Sequence, residues 1–205
     1  MFRLATTDDI DRIAEIYEEI HTEEEAGNVT IGWVRGVYPT RATAEGSVVA
    51  GDMYVLAVPA DELCDTKCAC GNECACGDAS AKSTEKCTPA NGEGIVAAAR
   101  INKEQVDVYA NATWNFDAPD DEVMVLHTLV VSPAVKGRGY GTEFVKFYED
   151  FALENGCRFL RMDTNARNTA ARSLYAKLGY TEVGIVDSVF NGIPGVKLVC
   201  LEKTL

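Results

Sequence analysis

The stretch from Leu126 to Phe144, LHTLVVSPAVKGRGYGTEF, restricts the fold more than any other part of the chain. An apolar run of strand character meets a Ser132-Pro133 break. Gly137, Gly139 and Gly141 then follow at alternate positions, and an amphipathic helical pattern begins. A strand that runs through such a loop into a helix leaves backbone N–H groups unpaired at the helix start, where the helix dipole also favours an anion. Glycines at that point let a bulky ligand approach the main chain closely. The order of elements therefore predicts a phosphate-bearing ligand at a strand–loop–helix junction. Two familiar phosphate loops are excluded. No Gly-Lys-Ser/Thr follows the glycines, and the sixth place counted from Gly137 is Thr142 rather than the glycine of a dinucleotide fingerprint.

The 205-residue chain is long enough for one domain with a sizeable core. Its net charge of −13, from 19 basic and 32 acidic residues, argues against nucleic acid or an anionic membrane as the main partner and suits a cationic amine. Neither a secretory signal nor a run of membrane-spanning length is visible, so a cytoplasmic location is expected.

The periodicity predicts strands at Phe2 to Ala5, Asp52 to Pro59, Gly94 to Asn102, Val123 to Val131, Arg158 to Thr164, Thr181 to Asp187 and Val196 to Glu202. The last two are expected to join through the turn-rich Asn191 to Gly195. Helices are predicted from Thr6 or Thr7 to Glu25, over Thr40 to Glu45, from Gly141 to Glu154 and from Asn168 to Leu178. Hairpins and crossovers together indicate a single α/β (α+β) domain over 1–205, with a mixed central sheet flanked by helices.

Residues 61–91 break this pattern. They carry Cys64, Cys68, Cys70, Cys74, Cys76 and Cys87, have almost no aliphatic periodicity, and read as an insertion between the presumed second and third strands. A reducing cytoplasm disfavours disulfides, so these six cysteines are candidate ligands for zinc or copper(I), with reduced, metal-free thiols as the alternative. A second functional reading follows: a metal sensor or store that uses the remaining domain as a scaffold. Cys157 and Cys200 sit in strand contexts as ordinary buried residues.

The spacing Leu129-x-Val131-x-Pro133-x-x-Lys136-x-x-Gly139-x-Gly141 resembles the acetyl-CoA loop of the GCN5-related N-acetyltransferases (GNAT). The partner run Asn168-x-x-Ala171-x-x-Leu174-Tyr175-x-x-Leu178-Gly179-Tyr180 matches the second half of that family's signature. One departure is Lys136, where the family usually has Gln or Arg; lysine keeps the charge but loses the planar fork. The resemblance implies an acetyl-CoA-dependent N-acetyltransferase in which a primary amine attacks the thioester directly. It also implies that the strands Val123 to Val131 and Arg158 to Thr164 splay apart at the donor. Main-chain groups of Leu129, Val130 and Val131 would hold the pantetheine arm. The loop Lys136, Gly137, Arg138, Gly139, Tyr140, Gly141 and Thr142 would hold the pyrophosphate.

By the same resemblance Tyr175 is the general acid at the CoA sulfur, and Asn168 contacts the donor while capping its helix. The base is open between His127, which simple alternation puts on the face of Val125 and Leu129, and Glu25 at the end of the first helix. Each has a bland counterpart, a hydrogen-bonded core histidine and a solvated helix end. Trp33, Tyr38 and Trp114 are candidates for either pocket wall or core. The partners expected are acetyl-CoA and an amine acceptor, without nucleic acid or membrane, and a homodimer is left open.

Overall fold

The computed structural model describes residues 1–63 and 93–205. Cys64, Cys68, Cys70, Cys74, Cys76 and Cys87 lie outside the described residues. The chain runs β1 (Phe2–Leu4), α1 (Ile10–Glu25), α2 (Arg41–Ala50), β2 (Met53–Pro59), the single turn α3 (Ala60–Leu63) and β3 (Glu93–Asn102). It continues with β4 (Val123–Val131), α4 (Tyr140–Glu154), β5 (Phe159–Asn165), α5 (Thr169–Lys177), β6 (Thr181–Phe190) and β7 (Ile193–Thr204). The strands form a seven-stranded mixed sheet in the order β1-β2-β3-β4-β5-β7-β6. Among the described strands only β4 and β5 pair in parallel; the other neighbours are antiparallel.

Alternate residues of the central strands point to opposite faces, and each face is covered differently. Met124, Leu126, Leu160 and Met162 pack under Phe144, Val145 and Tyr148 of α4, with Tyr175 of α5 at the margin. Val55, Ala98 and Val130 pack under Ile13, Ile16, Tyr17 and Ile20 of α1 and Ala44 of α2. Farther along that second face, Val123 and Val125 meet Tyr109, Val196 and Leu198. The helical spacing of the apolar residues in α1 and α4 is what lets each helix bury one stripe.

The feature that creates a site is a split in the middle of the sheet. Parallel pairing runs from Val123↔Phe159 to Leu126↔Met162 and then stops. Beyond it β5 keeps its antiparallel partner β7 as far as Asn165↔Leu198, while β4 continues to Val131 alongside β3. At the same level the β3–β4 register shifts between Ala98 and Arg100, and Thr128 takes φ of 52°. A bulge of this kind bends its strand and breaks the simple alternation.

The bulge corrects one expectation from the sequence. Leu129 packs with the cluster of Met124 and Leu126, whereas Val125 belongs to the opposite face, so His127 and Leu129 do not share a face through Val125. Two boundaries also differ. The second helix runs on through Gly46 to Ala50, ended by Gly51 at φ of 75°. The final hairpin turns on Asn191 and Gly192 alone, both with positive φ (48° and 85°), as a tight two-residue turn requires. Pro194 and Gly195 belong to β7. Proline is tolerated there because β7 pairs with β5 only from Leu198 onward.

Candidate active site

A cavity of about 530 Å³ occupies the split. The floor comes from the strands: Arg100 of β3, Leu126 to Leu129 of β4, and Asp163 to Asn165 of β5. Asn168 and Tyr175 enter from the α5 side, Thr43 and Ser47 from α2, and Phe190 from β6. Trp33 and Tyr38, from the segment between α1 and α2, complete an aromatic wall. Tyr38 sits edge-on to Trp33 at 6.0 Å and to Phe190 at 5.2 Å, and its hydroxyl meets Thr128 Oγ1. Trp114 is not part of this wall. It stacks under the Arg161 guanidinium at 4.2 Å and its Nε1 donates to Tyr109 O at 2.9 Å.

The structure places the anticipated residues in three groups. His127, Leu129, Asn168 and Tyr175 come together in the cavity lining. Lys136 to Thr142 form the loop and first turn of α4, outside that lining. Glu25 stands apart at the end of α1, exposed, with its carboxylate held by Arg35 Nε at 2.8 Å. The Val130 side chain is buried beneath α1, which leaves only its main chain available to a ligand.

His127 is held as a neutral ring. Asn102 Nδ2 donates to Asp52 Oδ2 at 2.6 Å, which turns Asn102 Oδ1 toward the ring at 3.0 Å from Nε2. An amide oxygen can only accept, so Nε2 carries the proton and Nδ1 is the basic atom. Burial, together with the nearby Arg100 cation, pushes the imidazole down to about 4. Tyr175 is 6% exposed, and burial followed by the charge of Asp163 raises its phenol above the ordinary range. Asn168 caps α5 by accepting from Ala171 N at 3.2 Å, while its Nδ2 donates to Thr164 Oγ1.

Asp163 was not singled out by the sequence reading. It lies on β5 one residue past the last β4 pairing, and its Oδ2 accepts from the Tyr109 hydroxyl at 2.8 Å. Burial raises its carboxyl to about 6, against the opposing effect of the Tyr109 hydrogen bond. The available signal was a carboxylate in a central strand, directly after Met162, which folding disfavours unless something meets it.

The loop is anchored at its start and open at its end. Ser132 N donates to Val96 O at 2.8 Å, and its hydroxyl donates to Glu19 of α1 at 2.6 Å. Gly137 and Gly139 take φ of 85° and 89°, and a Cβ on either would meet none of the described residues within 4 Å. Arg138 N turns back to Val135 O at 3.4 Å, so among the described residues the N–H groups left for a ligand at the start of α4 are those of Gly139 to Thr142, with Gly137 N before them.

The sequence model described as the Acetyltransferase (GNAT) family matches residues 73–180, more than half of the chain. The chain belongs to this family. The matched region spans the loop, both splayed strands and α5, while α2, β6 and the segment bearing Trp33 and Tyr38 lie outside it. A streptothricin acetyltransferase of Escherichia coli is 33% identical over 86 residues, which is 42% of this chain and 46% of that relative. The match thus covers less than half the relative's length. Among solved structures, a GNAT acetyltransferase of Streptococcus agalactiae shares the fold with a TM-score of 0.69 at 21% identity, over 100% of this chain and 95% of that one. YncA of Salmonella typhimurium, solved with its cofactor acetyl-CoA, aligns at a TM-score of 0.57 and 19% identity over 100% and 93% of the two chains.

Proposed function

We propose that the protein is an acetyl-CoA-dependent N-acetyltransferase that moves an acetyl group directly onto a primary amine. The observation that carries this reading is the split between β4 and β5, bordered at one end by the open helix start of α4 and at the other by Tyr175. The donor set suits acetyl-CoA. The N–H groups of Gly139 to Thr142, the bare Cα positions of Gly137 and Gly139, and the Lys136 charge would cradle a pyrophosphate. Among the described residues the β5-facing edge of β4 beyond Leu126 has no strand partner, which leaves its main chain to bind an extended amide-bearing arm.

When bound, acetyl-CoA supplies the thioester whose C–S bond breaks as the amine nitrogen forms the C–N bond. This chain's residues handle the protons and the charge. An N–H of β4 near Leu129 would polarise the acetyl oxygen. The Tyr175 phenol, kept protonated by burial, would donate to the sulfur as it departs. Residues 61–91 are read as a decoration joining β2 to β3, outside this chemistry. The likeness to a streptothricin acetyltransferase supports an amine acceptor and puts streptothricin among the acceptors to try.

The test is a panel of primary amines with purified full-length protein, monitored by acetyl-CoA-dependent release of CoA. Amine-dependent release with an acetylated product in the mass spectrum is expected. Binding of acetyl-CoA with no amine acetylated across the panel would contradict the proposal.

A further inference from the structure

We infer that Asp163 receives the acceptor's ammonium group and removes its proton, so that the cavity selects small cationic amines. This rests on the N-acetyltransferase reading and names its acceptor class. Among the described residues that line the cavity, Asp163 is the one carboxylate. It has no ion-pair partner among the described residues; its Oδ2 takes the Tyr109 hydroxyl, and Oδ1 is left for a ligand. The lining's one guanidinium is not available to it, because Arg100 is turned to Asp52 and Glu104, each at 2.8 Å. A half-buried carboxylate with a single hydrogen bond is costly to keep in the middle of a sheet. A cation brought by the substrate would compensate that charge.

The position suits the chemistry. Asp163 lies at the mouth of the split, within electrostatic reach of Tyr175 on α5, Tyr38 on the aromatic wall and Cys200 on β7. Those groups and Tyr109 are the titratable side chains that face it. The ammonium would sit on Oδ1 with its carbon chain against Tyr38 and Phe190, where aromatic faces also favour a cation. His127 is less suited, since burial and the Arg100 cation beside the ring both disfavour a proton on it.

The proton balance closes. Of the three protons on the ammonium nitrogen, one passes to Asp163 Oδ1 and later to solvent, which frees the lone pair for attack. A second leaves after the C–N bond forms and replaces the proton that Tyr175 gives to the sulfur. The third stays on the amide. An ammonium and an acetyl thioester thus become an amide, a thiol and one released proton.

The test uses the full chain with 1,5-diaminopentane, lysine methyl ester and streptothricin as cationic probes, set against free glycine and glutamate. Cationic probes are expected to be acetylated faster. Asp163→Asn should lower kcat/KM for them by about a hundredfold or more, with acetyl-CoA binding retained. The acidic limb of kcat/KM, near pH 6 in the natural protein, should vanish in Asp163→Asn. It should move to higher pH in Tyr109→Phe, which loses the hydrogen bond that favours the charged carboxylate. His127→Gln should leave the limb in place. Faster acetylation of the free amino acids, or an acidic limb that survives Asp163→Asn and disappears in His127→Gln, would overturn the assignment while the enzyme reading stands. Failure of acetyl-CoA to bind would instead remove the enzyme reading, and the assignment with it.

Discussion

At the residue scale, the cavity owes its chemistry to side chains whose protonation is set by what surrounds them. Tyr175 is buried beside Asp163, and both the loss of water and the neighbouring charge disfavour a phenolate. A neutral phenol is the state that can donate to a departing sulfur. Tyr175→Phe keeps the ring's packing against Tyr180, at 5.9 Å between centroids, and deletes only the hydroxyl. Such a variant is expected to lose about a hundredfold in kcat with little change in the KM for acetyl-CoA, read from steady-state CoA release. Unchanged turnover would take Tyr175 out of the proton path. The tautomer of His127 is likewise dictated by its neighbours, through the Asp52–Asn102 chain of hydrogen bonds.

At the scale of elements, the loop and the bulge do the positioning. Gly139 stands at the N-cap of α4 with φ of 89°, a conformation that costs an L-residue about 1 to 2 kcal/mol. None of the described residues crowds its Cα, so Gly139→Ala tests backbone conformation without a clash among them. The expected result is a rise in the KM for acetyl-CoA with a small fall in melting temperature, and an unaltered KM would show that the loop does not hold the donor.

These elements were unequally legible. The strand Val123–Val131 and the helix ends near Glu25 and Glu154 were readable because long apolar periodicity and terminal glycines mark them. The reach of the second helix to Ala50 was not, since Gly46 and the β-branched Val48 and Val49 weaken a helical pattern that tertiary contact restores. The bulge at Thr128 left no local mark, because it arises where β4 leaves β5 and stays with β3. It reversed the facing of every later residue in the strand. The role of Asp163 is illegible locally for the same reason: it depends on a gap that only the assembled sheet creates.

At the scale of the whole molecule, the sheet is held from both faces, and the split survives because each side has its own core. Phe144 is fully buried and touches Phe2 and Phe147 edge-on at 5.4 and 6.0 Å. Phe144→Ala is expected to cost about 3 to 5 kcal/mol, seen as a lower denaturant midpoint. Asp163 makes stability depend on pH. Its carboxyl binds a proton more tightly in the folded chain than in the unfolded one. The stabilisation this gives is therefore complete below about pH 4 and lost as pH rises through about 6. Asp163→Asn removes that loss. Its stability relative to the natural protein should accordingly rise by on the order of 2 to 3 kcal/mol between pH 4 and pH 8, measured by denaturant unfolding at each pH. A difference independent of pH would mean that the carboxylate is not strained by burial.

The most direct measurement of the central claim is calorimetric titration of the full chain with acetyl-CoA, repeated on Gly139→Ala. Saturable binding of one acetyl-CoA per chain, weakened in the variant while the fold persists, is the result expected if the split and the helix start of α4 receive the donor. An intact fold that takes up no acetyl-CoA, or binds it equally well in both proteins, would contradict that placement.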